Sequence, residues 1–324
     1  MLRFLLRRLA LLPPLLLLIH FCGYAYARTA QGIQLARNPF LAVTRAEESL
    51  IPDYLHYLRG LLTFDLGTLP NSDETIPQAI FRMGGASLGL LALAFVLSVV
   101  IGMLLGLNAT RSEPPKSRGW LSALSTMGQA LPSFYAGSLL IVGSLFYALW
   151  RGPGTAPLLP LQGFGWDAHL VLPLLALMAR PTVQIAQVTS TLLASELQRL
   201  HVTVSRSAGH TWRTIRWKLA MRNILAPITL TVAQSLRLLM AELILVEWLF
   251  SWPGLGRLIA ATLVPAQSLS SAGTALGASL FLNPPVLAAL LTVLAFGFLL
   301  IDLGASTAVQ LIDPRLRVDE IEKS

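Results

Sequence analysis

The sequence predicts an all-α integral membrane protein with six spans and both termini in the cytoplasm, and three features carry that reading. Of 324 residues, 54% are hydrophobic and only 12% charged, about half the charged share of a soluble domain. The apolar residues gather into runs that can cross a bilayer, which takes roughly 20 residues of helix. Lys and Arg concentrate in every second connection between those runs, as cytoplasmic loops require. These features exclude a soluble globular enzyme, a disordered tail protein and a disulfide scaffold. Cys22 is the one cysteine, so neither an intrachain disulfide nor a cysteine metal cluster can form.

The first run covers about 9–27, preceded by Arg3, Arg7 and Arg8. A basic start and Leu-rich centre resemble a secretory leader, but Tyr24, Tyr26 and Arg28 replace a small-residue cleavage site, so a retained span is expected. Further runs fall near 86–109, 120–150, 169–194, 224–247 and 286–312. With the amino terminus inside, the cytoplasmic pieces are 1–8, 110–119, 195–222 and 313–324, and they hold fifteen of the 24 Lys and Arg. The net charge of +8 is thus a topology signal and not a nucleic-acid footprint.

Three connections are long. The outer segment 28–85 contains an amphipathic stretch, Tyr54-Leu55-His56-Tyr57-Leu58, expected to form a short helix; a second outer loop covers 251–285. The third, 195–222, is cytoplasmic: an amphipathic stretch ends at Gly209, and a basic segment bearing Trp212 and Trp217 leads into the fifth span. Two readings fit it. Trp with interleaved Arg suits an interfacial helix at the headgroups, or the segment is a compact knob that meets a partner.

Ionisable side chains within spans are functional candidates, because an unpaired charge at membrane depth costs several kcal/mol. Arg180 lies in the fourth run with Gln184 and Gln187; Arg237, Glu242 and Glu247 follow in the fifth, and Asp302 in the sixth. Steps of five residues turn a helix by about 140° beyond a full turn, so Arg237, Glu242 and Glu247 cannot share one face. Glu247 is close enough to the outer end to reach water. The others either pair across helices or with a partner subunit, or they line a solute path. Gly84, Gly85 and the other glycines at membrane depth are expected to permit close helix packing. The turn Pro253-Gly254-Leu255-Gly256 is expected to re-enter the membrane, with Gly254 and Gly256 free to take positive φ. No phosphate-binding G-x-x-x-x-G-K-[ST] loop is present, and the five histidines (His20, His56, His169, His201, His210) are scattered.

Several of these stretches resemble the permease subunits of ABC importers of the dipeptide/oligopeptide (and nickel) family. Glu247-Trp-Leu-Phe250-Ser-Trp-Pro253-Gly254-Leu-Gly256-Arg257 resembles the signature E-x-x-F-S-W-P-G-L-G-R. Arg206-Ser207-Ala208-Gly209, followed by Leu219-Ala-Met-Arg222-Asn223 and Pro227, is similar to the family's coupling loop. Phe64-Asp65-Leu66-Gly67, Leu131-Pro132-Ser133-Phe134-Tyr135 and the terminal Asp313-Pro314-Arg315-Leu316-Arg317 match in order. The chain departs from the pattern at Leu200-His201, where the family has an acidic–aromatic pair, at Leu219 in place of a histidine, and at Asp302 and Ser306 near the end. The G-D-P usual near the end of the first span is absent between Tyr24 and Phe40.

The resemblance implies a single transmembrane permease domain over 1–324, in the inner (plasma) membrane, moving peptides or a similar small polar solute inward by alternating access. It implies as partners a second permease subunit, two ATP-binding subunits, an extracytoplasmic solute-binding protein and the lipid bilayer. It implies no cofactor, metal or catalytic residue in this chain, with ATP bound by the partners. His201, Ser205, Arg206, Ser207 and Gly209 would couple to the ATPases. Glu247, Phe250, Pro253, Gly254 and Gly256 would form the signature turn, and Arg180, Gln184, Arg237, Glu242 and Asp302 the translocation path. Two rivals are a permease relative kept as a structural subunit of another complex, and a secondary transporter; the latter would need internal inverted repeats.

Overall fold

The computed structural model describes residues 2–37, 50–62, 66–70, 73–152, 154–264 and 280–312. Part of the expected outer segment, Phe64-Asp65, residues 265–279 of the loop 251–285 and the terminal Asp313–Arg317 motif lie outside the described residues. The elements are α1 (Leu2–Arg37), α2 (Leu50–Leu62), α3 (Ile76–Asn108), an antiparallel hairpin of β1 (Thr110–Ser112) and β2 (Pro115–Ser117), α4 (Gly119–Ala130) and α5 (Ser133–Arg151). Then follow α6 (Val171–Glu196), α7 (Leu200–Ser207), α8 (Trp212–Thr214), a π-helical segment (Ile215–Ala220), α9 (Met221–Leu249), α10 (Leu255–Leu263) and α11 (Pro284–Ile312).

Among the described residues six helices are long and apolar enough to cross a membrane: Arg8–Gln34, Ile76–Asn108, Ser133–Arg151, Ala168–Glu196, Trp212–Leu249 and Pro284–Ala308. Their order and number are those expected, and three edges differ. The second helix begins ten residues before the expected start at 86, because Pro77 falls in the first turn, where it is tolerated, and Gly84-Gly85 do not end the helix. The third run breaks in two: Leu131 is extended (φ −98°, ψ 114°) before Pro132, whose ring disfavours helix in the residue ahead of it. The span is therefore α5 alone. The fifth begins at Trp212, since the basic residues that end the apolar run do not end the helix.

The described residues form two compact units. One comprises residues 1–87 and 253–300, the other 88–252 and 301–324. In the first, α1, α2 and α11 meet around Tyr24, Tyr54 and Ala288, with Phe21, Tyr57 and Leu58 against them. Tyr57 stacks on the rings of His20 and Tyr24, and Arg28 binds Asp53 at 2.8 Å. Burial, with Tyr24 and Tyr54 adding to it, pushes the Tyr57 phenol up to about 12. The amphipathic stretch 54–58 is thus helical as expected. A second cluster joins the start of α3 to α10 and α11 through Ile76, Ala79, Leu255, Leu258, Leu280, Val286 and Leu290.

The second unit is built on α6, whose buried side includes Leu172, Ala176, Leu177, Ile185, Ala186, Leu193 and Glu196. α3 lies against it at glycines. A Cβ added at Gly102 would fall 2.9 Å from the Thr182 carbonyl oxygen, and one at Gly106 would fall 2.6 Å from that of Ala186. Gly102 and Gly106 form a G-x-x-x-G pair, the spacing that lets two helix backbones approach. Gly84 and Gly85, expected to serve this purpose, do not: added Cβ atoms would meet one side-chain atom at 3.9 Å and nothing, respectively. Hydrogen bonds seal the α3–α6 contact, with Ser98 bonded to the Ala94 and Met178 carbonyls and Thr110 to Ser190 (3.0 Å), which bonds Ser117 (2.8 Å).

Gly106→Leu should accordingly lower thermal stability in detergent by about 2 kcal/mol or more, because backbone at the contact cannot move aside. Gly143→Leu, open on all sides within 4 Å, should leave the midpoint unchanged. Equal midpoints for the two variants would show that the α3–α6 approach does not hold this unit together.

Candidate functional site

The segment 195–222 folds into a small knob fastened to α6 and α9. α7 is a two-turn helix preceded by extended Arg199, and Gly209 ends it at φ +88°, the left-handed conformation that a Cβ disfavours. The Gly209 N–H donates to the Arg206 carbonyl (2.9 Å) and the His210 N–H to that of Ser205 (3.2 Å), so the last carbonyls of the helix are used. One side of α7 faces inward. Val202 is 2% exposed and joins Leu107, Leu193, Leu197, Ile215, Met221 and Ile224 in one apolar cluster. The opposite side shows Leu200 and Val204, 84% and 66% exposed, four residues apart and so neighbours on the helix.

Polar contacts complete the fastening. Glu196, 3% exposed at the end of α6, accepts from Asn223 of α9 at 2.6 Å, pairs with Arg199 at 3.0 Å and lies 3.4 Å from His201. Arg206 places its guanidinium 4.7 Å from the Trp212 ring centre and donates to the His210 carbonyl (2.9 Å). The Trp212 indole N–H donates to Glu113 on the β1–β2 hairpin (2.8 Å), which also lies 3.9 Å from Arg206. Ser205 and Ser207 donate to carbonyls of their own helix and make no contact outside it in these bonds. Of the five residues expected to couple, His201 and Arg206 thus also hold the knob, and Gly209 shapes it. Glu196 and Glu113 escaped the sequence reading, since a carboxylate beside a basic loop looks like ordinary solvated surface.

Four of the charges within the spans pair two by two. Arg180 of α6 meets Glu242 of α9 at 2.6 Å, and Glu242 also accepts from the hydroxyl of buried Ser133 at the start of α5. Arg237 of α9 meets Asp302 of α11 at 2.7 Å, with Ser306 within 3.5 Å of the same guanidinium. Both pairs leave part of their arginine accessible, near 31% of the side chain. Gln184 is half-buried on α6, one turn beyond Arg180. Glu247 does not reach water: it is fully buried, and its main-chain carbonyl accepts from the Trp252 N–H at 2.9 Å.

The signature segment turns as expected but with other residues. α9 ends at Phe250, and the positive φ falls on Ser251 (55°), whereas Gly254 is extended (φ −107°) and Gly256 lies inside α10. Both glycines are buried, so they save space and do not supply the turn. Phe250 and Trp252 are fully buried, Phe250 against Gly137 and Trp252 edge-on to Phe164 and Trp166. Just ahead of the fourth span, the Asp167 carboxyl is held below its ordinary range by the main-chain N–H and ring of His169.

Residues 98–318 match the family described as binding-protein-dependent transport system inner membrane component. The chain is 26% identical to the dipeptide transport system permease protein DppB of Alkalihalophilus pseudofirmus, over 98% of this chain and 100% of that one. It is 26% identical to DppB of Escherichia coli strain K12 (79% and 86% covered) and 27% identical to the peptide transport system permease protein SapB of Salmonella typhimurium (79% and 84%).

Removing one partner of a pair inside a span strands the other, which costs about 3 kcal/mol or more, whereas replacing both by apolar residues is far less harmful. Glu242→Ala should therefore lower the unfolding midpoint in detergent clearly, and Glu242→Ala with Arg180→Met should recover most of the loss. A double variant as unstable as the single one would mean that the pair does not neutralise Arg180.

Proposed function

The chain belongs to the family of binding-protein-dependent transport system inner membrane components, as a multi-pass permease subunit of an ABC importer, and from that premise we propose that it moves peptides into the cell by alternating access. The names of its relatives, which transport dipeptides or peptides, motivate the choice of solute. A second permease would complete the pathway, two ATP-binding subunits would dock below it, and an extracytoplasmic binding protein would deliver the solute. In this reading the termini and the knob face the cytoplasm, which the excess of Lys and Arg in those connections supports. The chain itself performs no covalent chemistry in this reading.

The observation that carries the proposal is the form of the knob. An apolar pair, Leu200 and Val204, projects from a short helix whose other side is buried. Exposed apolar side chains on a helix anchored from behind fit a cleft in a partner. Closure of the ATPase dimer would push this helix as a unit with α6 and α9 and rock the spans between inward and outward access. Arg180, Gln184, Arg237, Glu242 and Asp302 would then border the path, the pairs keeping each charge neutralised while part of each arginine side chain remains accessible.

Leu200→Glu puts a charge on the exposed side of α7 and leaves its buried side intact. The variant should insert and purify like the parent, but retain less than about a tenth of the ATP-binding subunits on co-purification, the loss expected when an apolar anchor becomes an unpaired charge. Gly209→Val, which forces a β-branched residue into left-handed backbone, should insert normally yet lose solute-stimulated ATP hydrolysis in the reconstituted complex. If both variants assemble and transport like the parent, α7 does not couple, and a structural-subunit role takes its place.

A further inference from the structure

The basic segment after the knob presents a feature that coupling does not use. Arg213, Thr214, Trp217 and Lys218 line one concave patch at the start of the span Trp212–Leu249. Three of the four are exposed. In a regular α-helix, Trp217 would lie near Arg213 but Lys218 would point about 140° away. The π-helical segment Ile215–Ala220, closed by the Met221 N–H donating to the Arg216 carbonyl, widens the turn so that residues four and five ahead both come under Arg213. The backbone irregularity thus gathers two cations, a hydroxyl and an indole on one face.

The charge around this patch is one-sided. No Asp or Glu occurs between Glu196 and Glu242, while Arg216 and Arg222 stand beside the patch. Arg216 is engaged elsewhere, donating to the Thr110 carbonyl, and Glu113, the nearby carboxylate, is taken by Trp212 and Arg206. Arg213 and Lys218 are left facing outward with an exposed Trp217 between them, where the polar segment gives way to the apolar helix. Two ammonium or guanidinium heads match a phosphodiester, a hydroxyl can donate to it, and an indole packs at the depth of glycerol and acyl carbonyls.

We propose that Arg213, Thr214, Trp217 and Lys218 form a binding site for the headgroup of an anionic phospholipid. The site follows Gly209 and the Thr211 cap directly, so a bound lipid holds the outer edge of the knob to the bilayer surface while α7 stays free on its other side. This unites the interfacial character of the segment with its role as a knob, since Trp217 and the basic residues serve the membrane and Leu200 and Val204 serve the partner.

Native mass spectrometry of the purified full chain, exchanged into detergent with phosphatidylglycerol or phosphatidylcholine, tests the site. The parent should retain phosphatidylglycerol in preference to phosphatidylcholine. Arg213→Gln with Lys218→Gln should weaken phosphatidylglycerol binding roughly 25-fold, about fivefold for each cation near an anionic group. Arg213→Lys with Lys218→Arg should bind like the parent, which separates lost charge from lost folding. Arg111→Gln with Lys116→Gln, exposed cations of the hairpin, should also bind like the parent. Three results would overturn the proposal: undiminished lipid retention in the Gln double variant, an equal loss in the hairpin variant, or inorganic phosphate displacing the lipid as well as phosphatidylglycerol itself does.

Discussion

The structure depends on a carboxylate that has no water to rely on. Glu196 closes α6 at 3% exposure, and its two oxygens are shared among Asn223, Arg199 and His201. Those three residues belong to α9, to the entry of α7 and to α7 itself. A buried carboxylate must be paired or it destabilises its surroundings, so α6, α9 and the knob are held in one arrangement. Val202, in the same apolar cluster as Leu193, Leu197 and Ile224, ties α7 to α6 and α9 from below. The knob is thereby an extension of the α6–α9 pair and not a loop hung between them, as the proposed coupling to a partner requires.

The same logic governs the spans. Where water is excluded, each charge needs a counter-charge and each backbone approach needs a missing Cβ. α6 meets both demands: Gly102 and Gly106 of α3 lie against its carbonyls, and Arg180 meets Glu242 of α9. Asp302 answers Arg237 from α11. Both pairs keep their charges neutralised while part of each arginine side chain stays accessible.

Most of the fold was legible in the sequence because hydropathy alone locates helices that must fill a bilayer. What was not legible depends on partners distant in sequence. Pro132 did announce the break between α4 and α5 through its effect on Leu131, and G-x-x-x-G at Gly102 and Gly106 announced the α3 contact, but apolar runs mask both signals. Glu247 looked able to reach water from the end of its span and is instead buried, with the Trp252 N–H folded back onto its main-chain carbonyl. The left-handed residue of that turn is Ser251 and not a glycine, a choice that no residue preference would have made. Glu196 and Glu113 carried no mark at all: a lone carboxylate near arginines reads as solvated surface until the fold places Asn223 or Trp212 against it.

The central claim is that α7 is held to α6 and α9 by the chain's own residues before any partner binds. Amide hydrogen exchange of the purified permease, without ATP-binding subunits, measures this directly at the donors within 202–210. The account predicts slow exchange there in the parent, in step with the adjoining ends of α6 and α9, and rapid exchange confined to this segment in Glu196→Ala. Fast exchange in the parent, or slow exchange that ignores Glu196→Ala, would contradict it and make the knob's structure a consequence of docking.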